Sequence, residues 1–277
     1  MIGGHHPGHL RLLGHHLTDE HRPRIRRPPP RQVAALPIAP FEDGGLCGGG
    51  HRPERNVGIG MIEFSLRNDV YRRPLMTALD RLGLREGWRC LDVGAGGGDV
   101  SVALAEVVGR DGRVYAVDSD PHARDLVATA AAAAGQGQVI AITQQAEDLL
   151  LPEPVDLAFC RFVLMHVHDP AVVLERMGGA VRPGGWVVAQ EPITSAGRVG
   201  GRPLSMPDAR HPDVGAELPA LALAAGLEVL DAWAESQAGA GPGPVADYLE
   251  HLTGVHPGAD AVVLPPLVTV VARRPLH

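Results

Sequence analysis

From residue 89 onward, short apolar runs alternate with segments in which apolar residues recur every three or four positions. The apolar runs are Arg89–Val93, Val114–Asp118, Gln138–Gln144, Val155–Cys160 and Trp186–Gln190. A run of this kind is typical of a strand buried on both faces of a parallel sheet, whereas the wider spacing indicates an amphipathic helix. The alternation therefore predicts an α/β fold with a doubly wound, mostly parallel sheet.

Helix signals separate these strands. Asp120-Pro121 and Asp169-Pro170 each place a capping side chain before a proline, which is a favourable start for a helix. Toward the end of the chain, Glu217–Ala225 has a helical pattern, and Glu228–Glu235 and Leu267–Ala272 are predicted strands. The prediction is thus a seven-stranded sheet, with loops at Gly239–Pro244 and Pro257–Ala259.

Residues 1–60 show no periodic apolar face. They contain 7 of the 14 histidines, 8 of the 25 prolines and 11 of the 35 glycines, and a composition of this kind favours a disordered tail. We expect the ordered domain to span 61–277, beginning near Met61. Within it, residues 61–88 form an N-terminal segment with a leucine face, and residues 192–214 form an irregular, variable insertion that we expect to act as a substrate lid.

The charge balance and the cysteines indicate which partners and which cellular compartment to expect. The net charge of −7 gives no general attraction to nucleic acid or to an anionic membrane, and the longest apolar run is too short to span a bilayer. Cys47, Cys90 and Cys160 are far apart and odd in number, which predicts reduced thiols in the cytoplasm. The first residues lack the apolar core of a secretory signal. We expect a monomer or homodimer without a metal site.

The segment Leu91–Ser101, LDVGAGGGDVS, carries the strongest chemical signal. It joins the end of the first predicted strand to a helix through Gly94, Gly96 and Gly98. Glycine permits positive φ angles and close approach of a ligand to the backbone, and a helix start presents free N–H groups. This loop is therefore predicted to bind a ligand.

Two classes of ligand compete for this loop. The dinucleotide fingerprint G-x-G-x-x-G is absent, because Asp99 or Ser101 occupies the place of the third glycine. In addition, Asp92 precedes Gly94 by two residues, where a carboxylate would repel a pyrophosphate. A ligand with a cationic amino group suits this acid better, so a nicotinamide oxidoreductase is the weaker alternative.

The pattern D-x-G-x-G-x-G resembles motif I of the class I S-adenosylmethionine (SAM)-dependent methyltransferases. The resemblance covers about residues 85–192 and also includes Asp118, at the end of the second strand, and the turn V-R-P-G-G at 181–185. An acid in the position of Asp118 can accept both hydroxyls of a ribose. The resemblance implies SAM as the cofactor and an antiparallel last strand placed between its neighbours.

The resemblance also implies roles for individual residues. The family commonly has an acid and an alanine after strand three, and here the matching pair is Gln145-Ala146, followed by Glu147. A glutamine carbonyl can accept the same hydrogen bond from an adenine amino group. The implied cofactor contacts are Asp92, Gly94, Ala95, Gly96, Gly98, Asp118, Ser119, Gln145, Ala146, Glu147, Cys160 and Arg161. His166, after strand four, is the candidate general base.

The predicted function is methyl transfer from SAM to an oxygen, nitrogen or carbon nucleophile of a small organic molecule. The chain lacks the N-P-P-Y or D-P-P-Y signature of base-methylating enzymes, and its arginine-only basic residues indicate a GC-rich bacterial coding bias that agrees with secondary metabolism. One alternative keeps SAM binding but assigns the site to a cyclisation or rearrangement. Another is a SAM-binding partner without catalysis.

Overall fold

The computed structural model describes residues 54–204 and 209–276, with side chains from residue 66 onward. The first helix, α1 (Glu54–Leu82), begins inside the segment that we predicted as a tail, seven residues before Met61. Residues 1–53, which include Cys47, lie outside the described residues.

The described ranges contain helices and strands in the alternation that the apolar pattern predicts. In chain order they are α1 (Glu54–Leu82), β1 (Arg89–Val93), α2 (Asp99–Val108), β2 (Arg113–Asp118), α3 (Pro121–Ala133), β3 (Val139–Thr143), β4 (Val155–Arg161), α4 (Pro170–Ala180), β5 (Val181–Pro192), β6 (Arg198–Val199), β7 (Arg202–Pro203), α5 (Val214–Ala224), β8 (Glu228–Glu235), β9 (Ala238–Ala240), α6 (Pro244–Thr253), β10 (Ala261–Val263) and β11 (Leu267–Arg273).

The main sheet has seven strands in the order β3-β2-β1-β4-β5-β11-β8. The pairs among β1 to β5 are all parallel, and β11 is antiparallel to both β5 and β8. The predicted fold class is confirmed, including the antiparallel last strand between its neighbours. The carboxyl ends of β1, β2, β3 and β4 consequently meet at one edge of the sheet, which is where ligands bind in open α/β sheets.

Helices cover both faces of the sheet. Because successive side chains of a strand point to opposite faces, neighbouring residues pack in different clusters. On β1, Cys90 packs in a cluster with leucines of α1 and valines of α2, whereas the next residue, Leu91, packs in a cluster with α4 and α5. All of the α1 leucines that we predicted to form one face, Leu75, Leu79 and Leu82, are buried in the first cluster. Burial on two sides explains why the central strands are almost continuously apolar.

The helix starts follow the predicted caps. Asp120 accepts a hydrogen bond from the backbone N–H of His122 at 2.8 Å, and Asp169 accepts one from Ala171 at 2.9 Å. The boundary of β5 differs from the prediction, since this strand begins at Val181 and includes the V-R-P-G-G segment. Its register against β4 shifts between Val155 and Leu157, which accommodates the turn-forming residues inside the strand.

A second sheet was not predicted: β6 and β7 lie in the insertion 192–214, β9 overlaps the predicted loop Gly239–Pro244, and β10 lies in a segment without a prediction. It has four strands in the order β7-β6-β10-β9, each only two or three residues long, so no apolar period can be recognised in them. Helix α6 was likewise not predicted. A buried cluster joins α1, α6, β10 and the start of β11, and its members are Val70, Tyr71, Tyr248, Leu249, Val262, Leu264 and Leu267. No helix in the described ranges is long and apolar enough to cross a membrane.

Candidate active site

The glycine loop is attached to the neighbouring strand β2. The N–H groups of Gly94 and Ala95 both donate to the carbonyl oxygen of Val117, at 2.8 and 3.0 Å. Gly94, Gly96 and Gly98 have φ angles of 70°, 51° and 85°, in the left-handed region that side chains disfavour. Glycine occurs at every second position here because the backbone turns through these left-handed conformations. The turn leads directly into α2.

Asp92 lies beneath this loop rather than on its surface. Its side chain is 1% exposed, and Ser101 of α2 donates a hydrogen bond of 2.5 Å to its carboxylate. Burial raises the pKa of Asp92 to about 7, although the bond from Ser101 opposes the shift. Asp92 therefore joins the end of β1 to the first turn of α2, and its contact with a cationic ligand group stays a prediction.

Asp118 connects the glycine loop to the turn that follows β2. One carboxylate oxygen accepts the N–H of Gly96 at 2.8 Å, and the other accepts the N–H of Asp120 at 2.9 Å. Each oxygen retains a second lone pair, and the side chain is half-buried at the edge of the sheet, beside the exposed Ser119. The carboxylate is thus oriented by two backbone groups and can still accept hydrogen bonds from hydroxyls.

The residues after β3 form a short 3-10 turn, Ala146–Asp148. Gln145 precedes it, is exposed and makes no capping bond to the turn. The carboxylate of Glu147 accepts the N–H of His168 at 2.9 Å, so this side chain stabilises the loop after β4. Of the residues that we predicted to contact the adenine, Gln145 has an exposed amide, whereas the carboxylate of Glu147 is bonded to the His168 backbone.

Cys160 and Arg161 end strand β4. The thiol of Cys160 is fully buried between β1 and β5, and burial raises its pKa well above the ordinary value, so the sulfur stays neutral. The guanidinium of Arg161 is also buried, and it donates to the carboxylate of Asp99 and to the carbonyl oxygen of Tyr71. Both residues lie at the predicted edge, and their direct contact with a cofactor stays a prediction.

Phe162 follows Arg161 with a φ of 57°, and it is the only residue other than glycine with a positive φ in the described part of the chain. Its ring packs edge-on against Tyr71 of α1, with the ring centroids 4.9 Å apart. A bulky residue in this conformation is strained, and such strain clusters at functional sites. The sequence gives no signal for it, because phenylalanine has no preference for this backbone region.

Glu191 is a second residue near the glycine loop that we did not predict from the sequence. It is fully buried at the end of β5, and its carboxylate accepts the N–H groups of Val163, Leu164 and Met165 at 2.7, 2.9 and 3.4 Å. Burial raises its pKa to about 7 despite these bonds. An acid immediately after the apolar run of β5 was the available signal, since a charge there needs partners.

His166 lies in the turn after β4, where its backbone N–H donates to the carbonyl oxygen of Val163 at 2.9 Å. The residue is exposed at the carboxyl edge of the sheet. Its position agrees with access to a bound acceptor, and its role as general base stays a prediction. No group of three or more histidine, cysteine or acidic side chains in the described ranges is arranged to bind a metal ion.

The arrangement fits a nucleoside with an amino-acid tail. Gly94 and Gly96 are half-buried, and Gly94 packs closely on Val163, because a Cβ on Gly94 would lie 2.2 Å from a methyl carbon of Val163. Asp118 offers a carboxylate to a pair of hydroxyls, and the exposed Gln145 offers an amide carbonyl one strand further along. These groups agree with the predicted SAM contacts, whereas Asp92 is buried and bonded to Ser101 and does not face a ligand in the loop.

Comparisons with known proteins agree with this geometry. The family model for a methyltransferase domain matches residues 66–232, which is more than half of the chain. A demethylmenaquinone methyltransferase of Geobacillus kaustophilus is 34% identical over 126 residues, covering 45% of this chain and 50% of that protein. A ubiquinone biosynthesis O-methyltransferase of Leptothrix cholodnii is 33% identical over 108 residues, covering 38% and 45%. The chain spans about half the length of these relatives.

Solved structures share the fold at low sequence identity. A SAM-dependent methyltransferase from Aquifex aeolicus superposes with a TM-score of 0.54 and 18% identity, covering 78% of this chain and 96% of that one. The [4+2]-cyclase SpnF superposes with a TM-score of 0.55 and 18% identity, covering 74% and 81%. The chain belongs to the methyltransferase domain family and has the fold of the class I SAM-dependent methyltransferases.

Proposed function

We propose that this chain binds SAM at the carboxyl edge of β1 to β4 and transfers its methyl group to a small organic acceptor. The observation that supports the proposal best is the bond between the Asp118 carboxylate and the Gly96 amide. This bond fixes an acceptor for ribose hydroxyls beside a glycine loop that a ligand can approach closely. The names of the two relatives above support a small-molecule acceptor.

When bound, SAM supplies a methyl group already activated by the positive sulfur. The chain then has to orient the ligand and exclude water, and this alone can supply much of the rate enhancement. Asp118 would bind the ribose, Gln145 and the Ala146 backbone the adenine, and the glycine loop the amino-acid tail. The loop 161–166 would lie beside the acceptor, since it follows β4 at the same edge of the sheet.

His166 would accept a proton only from an acceptor that must lose one, such as a weakly acidic hydroxyl. The position of this residue at an exposed edge suits such a role, because an acceptor can enter there from solvent. We propose methylation at oxygen, nitrogen or carbon, with no nucleic acid among the substrates. The coding bias points to bacterial secondary metabolism.

The activity itself is testable by product formation. With a panel of phenols, catechols, hydroquinones and amines, the parent chain is expected to release S-adenosylhomocysteine together with a methylated acceptor. The Asp118→Ala variant, measured by the same chromatographic assay, serves as the control and is expected to need more SAM for the same rate. Binding of SAM with conversion of a compound but no S-adenosylhomocysteine would favour a cyclisation or rearrangement. Binding with no turnover would favour a non-catalytic partner.

Asp118 and Asp120 form a matched pair for testing the ribose contact. Asp118→Ala is expected to weaken SAM binding at least about tenfold, because a hydrogen bond to a charged group contributes about 1.5–3 kcal/mol. Asp118→Asn should lose less, since its carbonyl still accepts one bond. Asp120→Ala removes the α3 cap and should lower the free energy of unfolding by about 1 kcal/mol without changing affinity. Calorimetry and thermal unfolding separate the two effects, and loss of SAM from Asp120→Ala alone would contradict the assignment.

A further inference from the structure

Arg161 is a buried cation that joins three elements of the fold. The residue is 5% exposed at the end of β4. One terminal nitrogen donates to the carboxylate of Asp99, the first residue of α2, and the other donates to the carbonyl oxygen of Tyr71 in α1 at 3.1 Å. A single side chain therefore contacts the end of the glycine loop and the N-terminal helix at once.

This arrangement depends on the shape of arginine. Removing a guanidinium from water is costly unless it is paired and hydrogen-bonded, and here both conditions are met by groups from different elements. The planar fork of arginine can donate in two directions, whereas the ammonium of lysine is a compact point charge. Loss of Arg161 or of Asp99 alone would leave the charge of the other unpaired.

Helix α1 is weak at the turn that Arg161 contacts. Pro74 lies inside the helix and has no N–H, so the carbonyl of Val70 lacks its usual helical donor. The next carbonyl, that of Tyr71, is the one that receives the bond from Arg161. The arginine thus stabilises α1 one residue after the carbonyl that lacks its helical hydrogen bond.

The contacts on either side of Arg161 lead to the candidate cofactor site. Asp99 directly follows Gly98, the left-handed residue at which the glycine loop ends. On the other side, the ring of Phe162 packs on Tyr71, and Val163 lies directly against Gly94. The position of α1 is in this way connected to both ends of the glycine loop.

We propose that Arg161 is a positioning residue that couples SAM binding in the glycine loop to the ordering of α1. The inference rests on the proposed function, since SAM is the ligand that it concerns. Arg161 acts through Asp99 and Tyr71, so the effect of its loss extends to α1, a helix that need not touch the cofactor.

The test compares Arg161→Met, Asp99→Asn and the double variant, which removes both charges and leaves no unpaired ion. Arg161→Lys is the conservative variant. The matched control is Arg182→Met, which breaks an exposed pair with Asp156. SAM affinity is measured by calorimetry at a temperature where circular dichroism shows every variant folded. Hydrogen exchange of residues 66–75 is measured with and without SAM.

In the parent and in Arg182→Met, SAM is expected to slow exchange in residues 66–75. Arg161→Met and the double variant should bind SAM at least about tenfold more weakly, because Asp99 and Tyr71 are no longer held together beside the glycine loop, and SAM should no longer protect α1. Arg161→Lys should retain part of the SAM affinity and part of the protection of α1. If Arg161→Met does not fold, SAM affinity and protection of α1 are measured on the double variant, which has no unpaired charge.

Affinity within about threefold of the parent, or unchanged protection of α1 in the double variant, would overturn the coupling while leaving the proposed function intact. A weaker affinity with normal protection would also overturn it, because a direct contact of Arg161 with SAM gives that result. Failure of the parent to bind SAM would remove the proposed function and this inference together.

Discussion

Gly96→Val is expected to reduce the affinity for SAM by about a hundredfold or more, the equivalent of roughly 3 kcal/mol. The φ angle of Gly96 is 51°, and a β-branched side chain is strained in that region by about 1–3 kcal/mol. The same side chain would also project from the loop that approaches the ligand. Strain alone would move the Gly96 amide away from Asp118, so the carboxylate that we propose to bind the ribose is disturbed as well.

The chain offers a matched control one residue away. Gly97 is not among the residues with positive φ, so Gly97→Ala adds a Cβ without this strain. Titration calorimetry should give Gly97→Ala an affinity near that of the parent, Gly96→Ala a weaker one and Gly96→Val none that can be measured. Equal binding by Gly96→Val and the parent would show that SAM binds elsewhere.

The parallel half of the fold was predictable because its signals are local. The strands ending in Val93 and Asp118 each contain four consecutive buried residues, most of them apolar, and the caps at Asp120 and Asp169 act on residues within three positions. The glycine loop is recognisable for the same reason. Its backbone conformation restricts the residue type directly, and the restriction is visible in the sequence itself.

The contacts that we did not predict join residues that are distant in the sequence. Glu191 binds amides 26 to 28 positions earlier, and Arg161 contacts a carbonyl 90 positions away. Nothing near either residue in the sequence announces these partners. The second sheet was missed for another reason, because strands of two or three residues pair through their backbones and leave no apolar period.

Glu191→Ala is expected to lower the free energy of unfolding by about 3–5 kcal/mol, because it leaves buried amides without an acceptor at about 1–3 kcal/mol each. The amides of Leu164 and Met165 belong to buried residues, and all three bonded amides lie in the loop that contacts Gly94. Glu191→Gln keeps one carbonyl oxygen in the same place and should lose much less. The loss should appear in denaturant unfolding and, through the loop, in SAM affinity.

The pH dependence of Glu191 provides the sharper test. Burial raises its pKa from an ordinary value of 4.5 to about 7, so between these limits the folded chain retains a proton that the unfolded chain has released. The stabilising contribution is therefore complete below pH 4.5 and is lost as the pH rises through 7. Asp92, whose pKa is also raised to about 7 by burial, acts in the same direction.

Glu191→Gln cannot ionise, so its stability should depend less on pH than that of the parent. Between pH 5 and pH 8, the free energy of unfolding of the parent should fall relative to that of Glu191→Gln by on the order of 2 kcal/mol. Urea titrations at four pH values in this range measure the difference, and Asp92→Asn, compared in the same way, isolates the second carboxyl. Parallel profiles for the parent and Glu191→Gln would mean that Glu191 stays ionised, with its three amide bonds outweighing the cost of burial.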